Sequence, residues 1–174
     1  MDNGFFFNFE KFAYIKGDKP PGCILCGIRD RRPEVVDLCF AESEYFLACI
    51  NLFPFNPGHL LVFPKRHILD LREFAAAEAL DFHQTACALL DALKTCYAPL
   101  GFNIGYNMGS AAGGSIEHLH QHIIPRYQRE MGMAELIAGQ RVTVEDPRIS
   151  ARNLHEQIMR QGILQVRSFP EMPA

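Results

Sequence analysis

Several features are scarce or missing in this sequence, and each absence excludes a class of protein. The formal net charge of the 174 residues is only −3, so the chain has no general attraction for nucleic acid or for an anionic membrane. No apolar run approaches the ~20 residues that span a bilayer. The N-terminus lacks a basic region and a cleavage signal, which favours a cytoplasmic protein. We therefore expect neither nucleic acid nor a membrane as a partner.

Length and composition are typical of one globular domain that needs no disulfide to hold its core. Apolar residues make up 48% of the chain and charged residues 21%, and repeats and disordered tracts are absent. We expect a single domain over residues 1–174. It divides into an aromatic N-terminal segment (1–22), a motif-bearing core (23–126) and a C-terminal extension with a final helix (127–174).

Apolar periodicity predicts an α+β fold. Leu71, Phe74, Leu89 and Leu93 share helical spacing in a long helix over 69–97, which Pro99 ends, and Ser150 is a candidate N-cap for the final helix. The order of elements does not alternate as βαβ units would. We expect about five antiparallel strands with the long helix packed on one face. The predicted strands are 35–41, 45–51, 59–63, 101–108 and 118–125.

The most informative segment is His118-Leu119-His120-Gln121-His122, which holds three of the seven histidines at alternating positions. On a strand, alternating side chains share one face, so the three imidazoles would lie side by side. Neutral imidazole is both a nucleophile and a metal ligand. The alternatives are a strand with a histidine-rich solvent face and a metal-binding histidine tract.

Three motifs in order along the chain resemble the histidine-triad (HIT) superfamily of nucleotide hydrolases and transferases. The first is Asn56-Pro57-Gly58-His59-Leu60-Leu61-Val62-Phe63-Pro64-Lys65-Arg66-His67, and the second is Gly101-Phe102-Asn103-Ile104-Gly105-Tyr106-Asn107-Met108-Gly109. The third is His118-Leu119-His120-Gln121-His122-Ile123-Ile124. The resemblance implies a homodimer that binds a nucleotide, with adenine as the expected base.

The resemblance also implies roles for individual residues. His120 would attack the α-phosphorus to form a nucleotidyl-histidine intermediate, while His122 and His59 hydrogen-bond phosphate oxygens. Asn51 matches the position that binds the ribose, and Asn107 and Ser115 match positions that contact the phosphates or the leaving group. The backbone N–H groups of Gly113, Gly114 and Ser115 are expected to form an anion-binding nest.

The pair Cys23-x-x-Cys26 has three interpretations: a redox dithiol, two inert thiols, or half of a structural zinc site, which needs four nitrogen or sulfur ligands. The other cysteines fall in apolar runs and are interpreted as small buried hydrophobes. In the zinc-bearing branch of the superfamily, the remaining ligands correspond to His67 and His118 here. The resemblance thus implies a structural Zn²⁺ on Cys23, Cys26, His67 and His118, which would remove His118 from the chemistry.

Three functions stay open at this stage. The first is an enzyme that cleaves the α-phosphate bond of dinucleoside polyphosphates or nucleoside phosphoramidates. The second is a diadenosine tetraphosphate phosphorylase, because Gly101–Gly105 and Glu117–His122 also resemble that branch, in which orthophosphate resolves the intermediate. The third is a zinc-stabilised nucleotide-binding module with little turnover. An intact set of His59, Asn107, Ser115, His120 and His122 favours an enzyme, since a pure binder has no need of a nucleophile.

Overall fold

The computed structural model describes residues 21–128 and 145–168, and confirms an α+β fold built on one antiparallel sheet. The predicted aromatic segment lies almost wholly outside the described residues. Over these described residues, the sheet has six strands in the order β4-β5-β3-β2-β1-β6. The helices are α1 (Ile24–Arg29), α2 (Ala76–Tyr97) and α3 (Pro147–Gln161); the strands are β1 (Cys39–Glu42), β2 (Phe46–Ile50), β3 (Leu60–Pro64), β4 (Gly101–Tyr106), β5 (Gln121–Arg126) and β6 (Gln165–Val166).

Alternation along the central strands divides the core between the two faces of the sheet. On β3, Leu60 and Val62 join the larger cluster, which α2 and α3 cover with Leu89, Leu93, Leu154 and Ile158. Leu61 and Phe63 point the other way, into a smaller cluster with Leu25 and Ile28 of α1. Because both faces of β2 and β3 are covered, every residue of these two strands is buried.

The long helix packs on one face as predicted, but it begins at Ala76 and not at residue 69. Leu71–Glu73 form a separate 3-10 turn. The Asp70 carboxylate accepts from the Arg72 N–H at 2.9 Å, and the Glu73 carboxylate accepts from the Asp70 N–H at 3.0 Å. These two hydrogen bonds form a capping box that belongs to the 3-10 turn and not to α2. Phe74 then adopts an extended conformation, which separates the turn from the helix. The apolar spacing therefore runs across two elements.

The triad segment differs from the prediction in a way that matters for the site. β5 begins at Gln121, so only His122 of the three histidines lies in the sheet. The Leu119 N–H donates to the Ile68 carbonyl at 2.7 Å and the His118 N–H donates to the Ile116 carbonyl at 2.9 Å. These contacts with a loop and a turn hold His118 and His120 ahead of the strand. The prediction that all three imidazoles share one strand face was wrong.

Two further differences concern the C-terminal part. The final helix begins at Pro147 with Asp146 as its N-cap, whereas Ser150, the predicted cap, is buried inside the helix. The two-residue strand β6 was not predicted, and it gives the sheet a sixth strand beside β1. Within the described ranges, no helix has the length and apolarity that crossing a bilayer requires.

Candidate functional site: three imidazoles beside a Cys/His cluster

The fold brings together two cysteines and two histidines that are far apart in sequence. Cys23 precedes α1 and Cys26 lies in its first turn, while His67 follows β3 and His118 precedes β5. Their ligand atoms all lie within 4.8 Å of one another. Cys23 Sγ is 3.4 Å from His118 Nδ1, and Cys26 Sγ is 3.4 Å from His67 Nδ1. We call these four residues the Cys/His cluster.

The spacing of the Cys/His cluster fits a tetrahedral metal ion. Zn–S bonds of ~2.3 Å and Zn–N bonds of ~2.1 Å place neighbouring sulfur and nitrogen ligands roughly 3.6 Å apart in a tetrahedron. The observed sulfur–nitrogen distances are close to this separation. Two of them are 3.4 Å, and the third, from Cys26 Sγ to His118 Nδ1, is 3.6 Å. Two thiolates and two imidazoles would also leave a divalent zinc ion electrically neutral.

His118 links the Cys/His cluster to His120 through its own backbone. Its Nε2–H donates to the Pro64 carbonyl at 2.9 Å, which leaves the Nδ1 lone pair directed at the cysteines. Its carbonyl oxygen accepts from the His120 Nδ1–H at 2.7 Å, which leaves the lone pair of that ring on Nε2. Burial lowers the pKa of His118 to about 4 and also lowers the pKa of His120. Both rings are therefore neutral at pH 7.

His59 and His122 form a second fixed pair. The Phe55 N–H donates to His59 Nδ1 at 3.1 Å, so the proton of the neutral ring sits on Nε2. That Nε2 lies 3.0 Å from His122 Nδ1, which consequently accepts and leaves the His122 proton on Nε2. His122 pairs in register with Leu61, which faces α1. The site thus lies on the face of the sheet opposite to α2 and α3.

His59 occupies a different place from the one expected of a phosphate ligand. The residue is fully buried, and its Nε2 contacts His122. Asn51, expected at the ribose, lies beside this ring: Asn51 Nδ2 is 3.4 Å from His59 Nδ1, and Asn51 Oδ1 accepts from the Phe53 N–H at 3.1 Å. In this conformation both side chains serve to hold His122 and the loop that follows β2.

The loop between β4 and β5 shows a tight glycine turn but not the predicted nest. The Gly113 N–H donates to the Ser110 carbonyl at 3.0 Å, and the Gly114 N–H donates to the Gly109 carbonyl at 3.2 Å. Two of the three amides expected to bind an anion therefore bond within the loop. A Cβ on Gly114 would lie 2.8 Å from the Asn107 carbonyl oxygen, so only glycine fits here. Asn107 and Ser115 are exposed on either side of this turn.

Sequence reasoning missed the groups that orient the imidazoles. They are the Phe55 N–H and the carbonyls of Pro64 and His118. Because these are main-chain groups, the residue types in the sequence do not reveal them. It also missed the stacking of the Phe55 ring on His59, with centroids 5.3 Å apart and planes 15° apart. Phe55 is 52% exposed, and the exposure of an aromatic side chain beside a motif histidine is visible only in three dimensions.

Comparisons with known proteins identify the class that this fold and site define. The chain belongs to the HIT domain family, whose pattern matches residues 32–129. The resemblance read from the three motifs is thus confirmed. In fold, it is similar to a Zn-bound histidine triad family protein from Mycobacterium smegmatis. That similarity has a TM-score of 0.66 at 24% identity and covers 81% of this chain and 96% of the mycobacterial one.

Two curated relatives carry names that describe an activity. An AP-4-A phosphorylase from Mycobacterium tuberculosis is 38% identical over 128 residues, 71% of this chain and 64% of the relative. A bis(5'-adenosyl)-triphosphatase from Saccharomyces cerevisiae is 37% identical over 95 residues, 54% of this chain and 46% of the relative. The chain therefore spans less than two thirds of the length of either relative.

Proposed function

We propose that this chain cleaves the α-phosphate bond of dinucleoside polyphosphates, with His120 as the nucleophile. The observation that carries the proposal is the hydrogen bond from His120 Nδ1–H to the His118 carbonyl, 2.7 Å long. It leaves a lone pair on Nε2 of a ring whose pKa is lowered by burial. A neutral, oriented imidazole is ready to attack phosphorus without a metal or a separate base.

In the first step, His120 Nε2 forms a bond to the α-phosphorus, and the bond from that phosphorus to the bridging oxygen breaks. The ring becomes a nucleotidyl-imidazolium, and the His118 carbonyl oxygen stabilises its positive charge through Nδ1–H. The His122 Nε2–H is the donor for a phosphate oxygen, because His59 occupies Nδ1 of that ring.

His59 acts as a positioning residue, and Asn107 and Ser115 are the polar groups at the loop that contact phosphate or leaving group. Asn51 and Gly114 complete the substrate-binding set.

In the second step, a water oxygen forms a bond to the same phosphorus, the bond between that phosphorus and His120 Nε2 breaks, and the water releases a proton to solvent. His120 thereby returns to its neutral state. Diadenosine tetraphosphate would then give AMP and ATP. Orthophosphate in place of water would give ADP and ATP, which is the phosphorylase alternative. The similarity to the mycobacterial relative named AP-4-A phosphorylase supports this second candidate. The adenosine-containing names of both relatives support an adenine nucleotide as substrate.

The test measures products and the covalent intermediate. Wild-type protein, His120→Ala and a control, His155→Ala on α3, are mixed with diadenosine tetraphosphate with and without orthophosphate. We expect AMP or ADP beside ATP from the wild type and the control, a nucleotidyl mass on the peptide with His120 after base quenching, and neither from His120→Ala. Near-normal turnover by His120→Ala would overturn the mechanism. Nucleotide binding without turnover by the wild type would favour the binding-module alternative.

We also propose that the Cys/His cluster holds a structural zinc ion. The donor set of Cys23, Cys26, His67 and His118 and their spacing support this assignment. When bound, the ion would tie α1 to the turn after β3 and to the segment before β5. Metal analysis of protein purified without chelators should give one zinc per chain, and Cys26→Ser should lose it. A wild-type protein that contains no zinc, with thiols shown to be reduced, would contradict the assignment.

A homodimer in the cytoplasm completes the proposal. β4 ends the sheet on one side, and its Ile104 is 48% exposed. On α2, Leu80 is 60% exposed. An exposed strand edge with apolar side chains nearby is a surface that a second copy can cover. Two thiolate ligands favour a reducing compartment, in which cysteines remain available for metal.

A further inference from the structure

The C-terminal strand carries a buried arginine that contacts the helix of the Cys/His cluster. Arg167 directly follows β6 and is only 5% exposed. Its N–H donates to the Phe40 carbonyl at 3.1 Å, which extends the pairing between β6 and β1. Its Nη2 donates to the Ile28 carbonyl at 2.6 Å and to the Arg29 carbonyl at 3.1 Å. One side chain thus joins the edge of the sheet to the end of α1.

The contact has a clear electrostatic basis. The last carbonyls of a helix lack partners within the helix and carry partial negative charge, so a cation there is stabilising. Asp37, just before β1, adds a carboxylate oxygen 3.5 Å from Arg167 Nη2. The same carboxylate accepts from the Cys39 N–H at 2.9 Å, which holds it in place. A buried guanidinium is costly unless its N–H groups are paired. Two of the three contacts of Arg167 Nη2 depend on α1 being in position, while its buried Nε has no hydrogen-bond partner among the described residues.

The position of α1 decides where both thiols lie. The helix has only six residues, with Cys23 at its N-cap and Cys26 in its first turn. The other two residues of the Cys/His cluster belong to segments attached to the sheet. Any shift of α1 therefore changes the sulfur–nitrogen distances that suit a tetrahedral ion. A metal site tolerates only small departures from its bond lengths.

A second arginine, the last residue of α1, makes a separate contact from the same end of the helix. Arg29 Nη1 donates to the Lys65 carbonyl at 2.8 Å, two residues before His67. The end of α1 is thus clamped between the turn after β3 and the C-terminal strand. Since Arg29 and Arg167 act on neighbouring groups, the helix has little freedom to move while both contacts are made.

We infer that Arg167 is a positioning residue for the Cys/His cluster, so that docking of β6 and metal binding strengthen each other. The inference rests on the zinc site proposed above. Coupling of this kind is reciprocal: if β6 raises the affinity for zinc, then zinc must hold β6 in place by the same factor. A purely structural arginine would instead stabilise the zinc-free and zinc-bound forms equally.

The first test measures zinc affinity by competition with a chromophoric chelator. Arg167→Met removes the guanidinium group. Arg167→Lys keeps the positive charge but lacks the several N–H groups with which the guanidinium donates to neighbouring carbonyls. Arg160→Met, on the exposed face of α3, is the control. Loss of a group that orients metal ligands typically weakens affinity about 10–100-fold. We expect a loss of that size for Arg167→Met, a smaller loss for Arg167→Lys, and wild-type affinity for Arg160→Met. Equal affinity for folded Arg167→Met and Arg160→Met would overturn the inference.

The second test needs no variant and uses the full chain. Hydrogen exchange of the Arg167 amide, which donates to Phe40, is compared in zinc-loaded and zinc-free protein. We expect exchange about tenfold or more faster without zinc, while amides of the central strand β3 change little. Unchanged exchange at Arg167 would overturn the coupling even where the wild type binds zinc. A wild-type protein that binds no zinc would instead defeat the metal assignment itself, so the two failures are distinguishable.

Discussion

His59 Nε2 lies 3.0 Å from His122 Nδ1, so one imidazole determines which nitrogen of the other carries the proton. The Phe55 N–H on His59 Nδ1 sets the direction of this pair. His59 is fully buried, whereas His122 is partly exposed at the face where substrate would bind. The partly exposed ring of His122 is therefore held with its proton on Nε2 by a fully buried residue.

Replacing His59 should affect turnover through His122. In His59→Phe, the proton of His122 is no longer confined to Nε2, so the donor to the phosphate is present only part of the time. We expect kcat to fall by roughly 10²-fold, the scale of losing one oriented donor, with a smaller change in KM. Steady-state kinetics and ¹⁵N NMR of the His122 ring measure the two effects. Unaltered kcat together with an altered His122 tautomer would show that this donor does not contribute.

Gly114 should tolerate no side chain. In Gly114→Ala the new Cβ would lie 2.8 Å from the Asn107 carbonyl oxygen and 3.0 Å from that of Gly109, so the loop must open. We expect weaker substrate binding and slower turnover, with an unfolding temperature close to that of the wild type because the loop is on the surface. Gly101→Ala is the matched control, since no atom of the described residues lies within 4 Å of its added Cβ. Equal kinetics for the two variants would mean that the loop is not part of the site.

The Arg66–Glu78 pair should make stability depend on pH in the acid range. Arg66 Nε and Nη2 lie 2.6 and 2.8 Å from the Glu78 carboxylate oxygens, and this pairing lowers the pKa of Glu78 from its usual 4.5. A lowered folded-state pKa gives stability that is present above the unfolded value and is lost as pH falls through the folded value.

Glu78→Gln should therefore be less stable than the wild type at pH 7. The difference should shrink below about pH 4.5, where the Glu78 carboxylate of the unfolded chain takes up a proton first and that of the folded chain follows at lower pH. Urea unfolding at several pH values measures this difference. Glu117→Gln, which alters an exposed carboxylate, is the control and should follow the wild type. A difference that stays constant from pH 7 to pH 3 would show that the pair adds no pH-dependent stability.

The proposed homodimer predicts that a charge on β4 separates the subunits. Ile104 is 48% exposed on the edge strand, so Ile104→Lys would place an ammonium group in the interface. We expect light scattering to show a dimer mass for the wild type at micromolar concentration and a monomer mass for Ile104→Lys. Met159→Lys, at a residue 58% exposed on α3, should remain a dimer. A monomeric wild type would contradict the assembly.

The main features of the fold could be predicted because periodicity reports burial directly. Short continuous apolar runs located β2 and β3, and helical spacing located α2. The start of α2 was misplaced, since apolar spacing continues through the 3-10 turn that Asp70 caps. β6 has only two residues, both exposed, so no local pattern in the sequence marks its pairing with β1.

The candidate site divides in a similar way. Side chains with distinctive chemistry, such as those of Cys23, Cys26 and the triad histidines, can be recognised as candidate site residues from the sequence alone. Main-chain partners give no such signal, and neither does the pairing of the buried His59 with the partly exposed His122. The burial of Arg167 and its contacts with α1 were equally hidden, because the sequence around this arginine carries no pattern that predicts them.

The carbonyl groups of Pro64 and His118 have a consequence for a polyanionic substrate. Enzymes often orient a histidine with a carboxylate, which holds the ring well but carries a negative charge. Here, neutral peptide oxygens hold the rings of His118 and His120. Peptide oxygens do not ionise across the physiological pH range, and they do not repel a chain of phosphates. The backbone conformation therefore sets the orientation of these two rings, and neither added salt nor acid pH readily changes it.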